Sequence, residues 1–136
     1  MRPHIKMLCG DYYTYEMKAK YQGGSPFCRL CEPKESNIEN IEHILTICSN
    51  YEDVRIRVLS EIKNILEDIE YIHTYEPIFL DTLKLTQFIL DCTSFNLPIR
   101  LHFNDKKALE IFELSRGLCY SINKRRLQML NELTRK

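Results

Sequence analysis

The chain has no surplus of charge, no long apolar run and little glycine. Its 19 basic and 19 acidic side chains cancel over 136 residues, so no global field draws it towards nucleic acid. No apolar stretch approaches the length of a membrane-spanning helix. The first twenty residues lack the continuous apolar segment of a signal peptide, so none is expected. With 4 glycines in all, no Gly/Ser linker, low-complexity tract or internal repeat is visible. What remains is the profile of one domain with a helical extension, and a hydrophobic content of 44% is enough for a core.

The zero net charge conceals a pattern. Residues 1–34 sum to +3, residues 35–70 to −6 and residues 71–136 to +3. An acidic middle therefore lies between two basic ends.

The 6 cysteines are not spread evenly. Cys28, Cys31 and Cys48 stand with His43 in the spacing C-x2-C-x11-H-x4-C. Two cysteines two residues apart form a knuckle that aims both thiolates at one ion. A histidine and a third cysteine then complete a tetrahedron, the geometry zinc accepts from sulfur and nitrogen. Four protein ligands leave no position for water, so a structural zinc is expected, not a catalytic one. A centre of three thiolates and Zn²⁺ would carry about −1. The alternatives are four unrelated buried residues, cysteine often being buried as a small hydrophobe, or a redox pair. No βαβ pattern surrounds the Cys28–Cys31 pair to support the latter. Cys9, Cys92 and Cys119 lie in apolar contexts and are expected as buried free thiols in a reducing compartment, cytosol or nucleus.

Around this motif the chain reads as helical. Pro3 suits a first helical turn, and Gly10 and Asp11 interrupt residues 1–22. Tyr12, Tyr13, Tyr15 and Tyr21 stand beside Lys18 and Lys20. They are either base-stacking platforms or amphipathic edges of a core. Gly23 and Gly24 end the helix. Phe27 opens a short strand or packs over the metal. Ser36 and Glu39 form a capping box for the next helix, with Ile38, Ile41, Ile44 and Leu45 as its apolar face. That helix is expected to end near Ile47, so that Cys48 turns back to the metal. Residues 50–70 then place Val54, Val58, Leu59, Ile62, Ile65, Leu66 and Ile69 at helical spacing. Residues 71–75 read as a connection containing His73. Pro77 opens a helix running towards Cys92, and Ile99, Leu101 and Phe103 suggest an extended piece. Asn104 and Asp105 cap the last helix, expected to reach about Leu133. It carries Lys124, Arg125 and Arg126, the densest basic patch of the chain. Cations near a helix C-terminus also suit its dipole without any ligand.

The resulting fold class is mainly α, a zinc knuckle pinned to about four to six helices with a long C-terminal helix. Residues 1–70 form the zinc-centred half and residues 71–136 the helical extension.

The stretches MLCGDYYTYEMKAKY and SPFCRLCEPKESNIENIEHILTICSNYEDVR resemble the C-terminal zinc-binding tail of non-LTR retrotransposon reverse transcriptases. Cys28, Cys31, Glu42, His43, Cys48, Tyr51 and Arg55 match that motif. LTQFILDCTSFNLPIR and FELSRGLCYSINKRR are similar to the end of some such polyproteins. The resemblance implies an accessory role in holding template RNA or target DNA, by a fragment or a free-standing derived protein. No polymerase, endonuclease or ribonuclease H constellation is present, and no enzyme activity is expected. The nucleic-acid contacts expected are Lys18, Lys20, Arg29, Lys34, Lys124, Arg125 and Arg126, with RNA preferred to DNA. The alternative is a protein-interaction or self-association module docking on a polymerase, which the zero net charge and the acidic middle favour.

Overall fold

The computed structural model describes residues 2–31, 37–67, 72–92 and 105–135. Among them are six α-helices: α1 (Pro3–Leu8), α2 (Tyr15–Gln22), α3 (Glu52–Glu67), α4 (Ile72–Leu80), α5 (Thr82–Leu90) and α6 (Asp105–Thr134). A π-helical turn (His43–Ile47) and a 3-10 turn (Ser49–Tyr51) lie between α2 and α3. The mainly α class expected from the sequence is the one observed.

Helix α6 is the spine. Its 30 residues extend over roughly 45 Å. Helices α1, α3 and α5 and the π-turn all pack against it. Ile111, Ser115, Leu118, Cys119, Ile122 and Arg126 are buried along it at steps of three and four residues. Helix α3 meets them with Val54, Val58, Ile62 and Leu66, and α5 with Leu85, Phe88 and Ile89. The apolar side chains among these belong to one core, which also takes in Cys28, Cys31 and Cys48.

The local grammar of the N-terminal half is largely as read. Pro3 lies in the first turn of α1, and Gly10 follows it with φ +76°. Thr14 caps α2 by accepting from the Met17 N–H at 3.2 Å. Gly23, with φ +80°, ends it in backbone space that a side chain would strain. Phe27 pairs with Ile38 in a single antiparallel bridge. Cys28 N–H donates to Asn37 O at 2.8 Å and Glu39 N–H to Pro26 O at 2.9 Å. The knuckle is thus clasped at its base by backbone bonds.

Several expectations are corrected. Ser36 lies outside the described residues, and Glu39 does not act as a capping-box acid. Its carboxylate is buried and engaged elsewhere, and Asn40 instead accepts from the His43 N–H at 2.8 Å. Ile38 precedes the helix and is exposed, so it is not part of its apolar face. Residues 72–75 are helical, not a connection, and Pro77 lies inside α4 instead of opening it. The helix expected from Pro77 towards Cys92 is two helices. Asp81 adopts an extended backbone, and its carboxylate accepts from the Leu83 and Lys84 N–H groups at 3.0 and 3.1 Å. That cap wins because it satisfies two orphan donors at once. Cys9 is exposed, whereas Cys92 and Cys119 are buried free thiols. The extended piece at residues 99–103 and the cap residue Asn104 lie outside the described residues.

Candidate metal centre and cationic surface

Cys28, Cys31, His43 and Cys48 converge. All four are buried, and their ligand atoms lie within 4.8 Å of one another. Cys31 Sγ is 3.4 Å from His43 Nε2 and 3.8 Å from Cys48 Sγ. A tetrahedron with metal–sulfur bonds of about 2.3 Å has edges of about 3.8 Å. Two of the six separations are thus near the edge such a tetrahedron requires, and all of them fall within 4.8 Å.

The local fold explains the convergence. A continuous α-helix would carry Cys48, five residues past His43, away from the histidine's face. Instead the Cys48 N–H donates to His43 O at 2.7 Å, a π-type bond that widens the last turn. Cys48 then leaves the helix with ψ 121°, as the spacing predicts. Arg55 fixes this end. Its buried guanidinium donates to Leu45 O and Cys48 O at 2.7 and 2.8 Å, the latter also accepting from the Tyr51 N–H at 3.3 Å.

Thiolate character is built in. A hydrogen bond from Cys28, with others from His43 and Asn50, pulls Cys48 well below the ordinary thiol value despite its burial. The same bond and burial push Cys28 upward. Burial, then the neighbouring Cys48, raises Cys31. A divalent cation held here would deprotonate all three thiols. Asn50 supports the Cys48 sulfur with an N–H at 3.3 Å while also donating to Leu30 O at 3.0 Å. With Nε2 facing the sulfurs, His43 Nδ1 is buried and has no hydrogen-bond partner among the described residues. Four protein donors fill a tetrahedron and leave no coordination position for a substrate. Cys9, Cys92 and Cys119 are not among the cluster.

Beside the centre lies an aromatic–cation group. The Arg29 guanidinium, one residue past Cys28 and exposed, is 4.6 Å from the centroid of the Tyr15 ring. Lys18 Nζ approaches the same ring at 5.9 Å, and Lys20 Nζ lies 5.5 Å from Tyr21. Lys34 is outside the described residues.

The basic triplet of α6 does not act as a unit. Arg126 is buried, with Nε 3.1 Å and its second guanidinium nitrogen 2.7 Å from the Glu39 carboxylate oxygens. Its fork is used up inside the protein, so as placed it offers nothing to a backbone phosphate. Arg125 is half-buried, pairs with Asp53 and donates to Asn50 O at 3.3 Å. Lys124 is exposed. Successive helical positions point about 100° apart, which separates these three fates. Lys124 and Arg125 line a groove of about 330 Å³ with Arg57, Tyr120 and Asp53. Sequence reasoning missed Asn50, Glu39, Arg57 and Tyr120. Only Asn50, two residues after a ligand cysteine, carried a local signal.

Comparison of the chain with protein-family models, with curated proteins and with solved structures finds no match. The likeness to the reverse-transcriptase tail rests on the residues quoted above.

Proposed function

We propose that this chain is a zinc-stabilised accessory module that holds single-stranded nucleic acid, RNA before DNA. Zinc is the ion because three soft thiolates and one imidazole in a tetrahedral arrangement suit it best among common metals. Its role is structural. The observation that carries the nucleic-acid reading is the placement of the Arg29 guanidinium over the Tyr15 ring beside the candidate metal centre, with Lys18 Nζ over the same ring at 5.9 Å. Unpaired bases stack on aromatic and guanidinium planes while cations meet the phosphates. Arg29 follows a ligand cysteine directly, so the metal would hold its backbone. Binding of a labelled single-stranded RNA at two salt concentrations tests this. The parent binds, and Arg29→Gln with Lys18→Gln weakens binding and flattens its salt dependence. A parent protein without measurable affinity would overturn the reading.

One observation favours a protein partner instead. Leu80 and Leu83 flank the α4–α5 corner and are 85% and 56% exposed. Apolar side chains presented together on a rigid corner suit docking on a polymerase or on a second copy. Such binding would be insensitive to salt and would fail on substitution of both leucines by Ser.

A further inference from the structure

Tyr120 stands on α6 between two clefts. The first, of about 410 Å³ between α1 and α6, is lined by Arg2, His4, Glu113, Arg116 and Tyr120. The second, of about 330 Å³ between α3 and α6, is lined by Asp53, Arg57, Tyr120, Lys124 and Arg125. The ring is 59% exposed and is the wall both clefts share.

The charge of this surface is one-sided. Its linings hold Arg2, Arg57, Arg116, Lys124 and Arg125 against two carboxylates; Glu113 pairs with Arg116 and Asp53 with Arg125, so within the two linings the charge of Arg2, Arg57 and Lys124 is left uncompensated. The periodicity of α6 orders the rest. Arg116, Tyr120 and Lys124 lie four residues apart on one face, so cation, ring and cation succeed one another every ~6 Å. The ring thus stands midway between two cations ~12 Å apart along the helix, room for a base flanked by its phosphates.

We infer that Tyr120 is a base-stacking platform for a single nucleic-acid strand whose phosphates run from the Arg2–Arg116 cleft to the Arg57–Lys124 groove. This rests on the nucleic-acid reading above and adds to it a second contact face, on α6. A base on Tyr120 requires an unpaired strand. A duplex, with its bases stacked inside, would meet only the cations. Stacking demands the ring and not its hydroxyl, so phenylalanine would serve equally.

The test is fluorescence anisotropy with a labelled RNA of about a dozen nucleotides, single-stranded and as a blunt duplex. It uses the full zinc-loaded chain and the variants Tyr120→Ala, Tyr120→Phe and Arg29→Gln. Tyr120 is exposed on a helix, and alanine is a good helix former, so the fold survives the change. Tyr120→Ala is expected to lower single-strand affinity about tenfold and to leave duplex affinity unchanged, and Tyr120→Phe to match the parent. Equal single-strand affinity for Tyr120→Ala and the parent overturns the inference, while loss in Arg29→Gln alone leaves the broader reading standing. Equal losses on single strand and duplex also overturn it, because they describe a general cationic surface. A parent that binds neither RNA overturns both.

Discussion

Glu39 and Arg126, 87 residues apart in sequence, form a two-pronged ion pair inside the protein. Their side chains are 1% and 8% exposed. Glu39 also accepts from the Tyr15 N–H at 3.0 Å, and the Arg126 guanidinium lies 5.5 Å from the Tyr12 ring centroid. Burial alone would pull Arg126 below its ordinary value, but the Glu39 carboxylate outweighs it and holds the cation firmly charged. The pair joins the base of the metal loop, the start of α2 and the spine helix. A buried charge retained in this way needs its partner, since alone it would carry an uncompensated desolvation cost.

Glu39→Gln is therefore expected to destabilise the protein by about 3–5 kcal/mol, since it strands a buried guanidinium. Replacing both partners together, Glu39→Leu with Arg126→Met, should recover much of that loss. Denaturant unfolding of the two singles and the double measures the coupling. Strictly additive losses would show that the pair does not act as a unit.

Metal removal should divide the molecule. Chelation is expected to loosen the knuckle and the π-turn, while α3, α5 and α6 keep their helicity through Ile62, Leu66, Phe88, Ile89, Ile111, Leu118 and Ile122. Amide exchange with and without chelator reads this directly. Uniform loss of protection would instead mark a metal-dependent fold throughout. Cys31→Ser should reproduce the loosened state and bind far less than one equivalent of zinc.

The break between α4 and α5 depends on one carboxylate. Asp81→Ala removes both hydrogen bonds to the first turn of α5 and should cost about 1 kcal/mol. Asp81→Asn should cost less, because its amide oxygen still caps. Equal stability of Asp81→Ala and the parent would mean that packing alone sets this corner.

The basic patch of α6 calls for separate substitutions. Lys124→Gln should leave stability unchanged and weaken RNA binding, with the salt slope shallower by up to about 0.7 for one lost contact. Arg126→Gln should instead destabilise the fold, leaving Glu39 buried and unpaired. Thermal unfolding and RNA titration on the same two variants separate these roles. A stable, fully folded Arg126→Gln would contradict the buried pair.

Most of what is local in this protein could be read from the chain. The metal tetrad follows from spacing because a knuckle and a helix end have few geometries. The faces of α3 and α6 follow from a 3.6-residue period that packing must respect. The end of the π-turn at Cys48 follows from the spacing, since a helix continued past Ile47 would carry Cys48 away from His43. What only the tertiary structure decided concerns polar residues whose partners are remote. Glu39 fits a capping box by sequence, and Arg126 fits an exposed basic triplet. Each is a charged residue that belongs at the surface by composition, and nothing local shows that the two neutralise each other inside. The corner at Asp81 differs from these, because its partners, the Leu83 and Lys84 N–H groups, are local. The chain shows a carboxylate competing with a helical period that runs on either side of it, and only the folded backbone shows that the cap prevails.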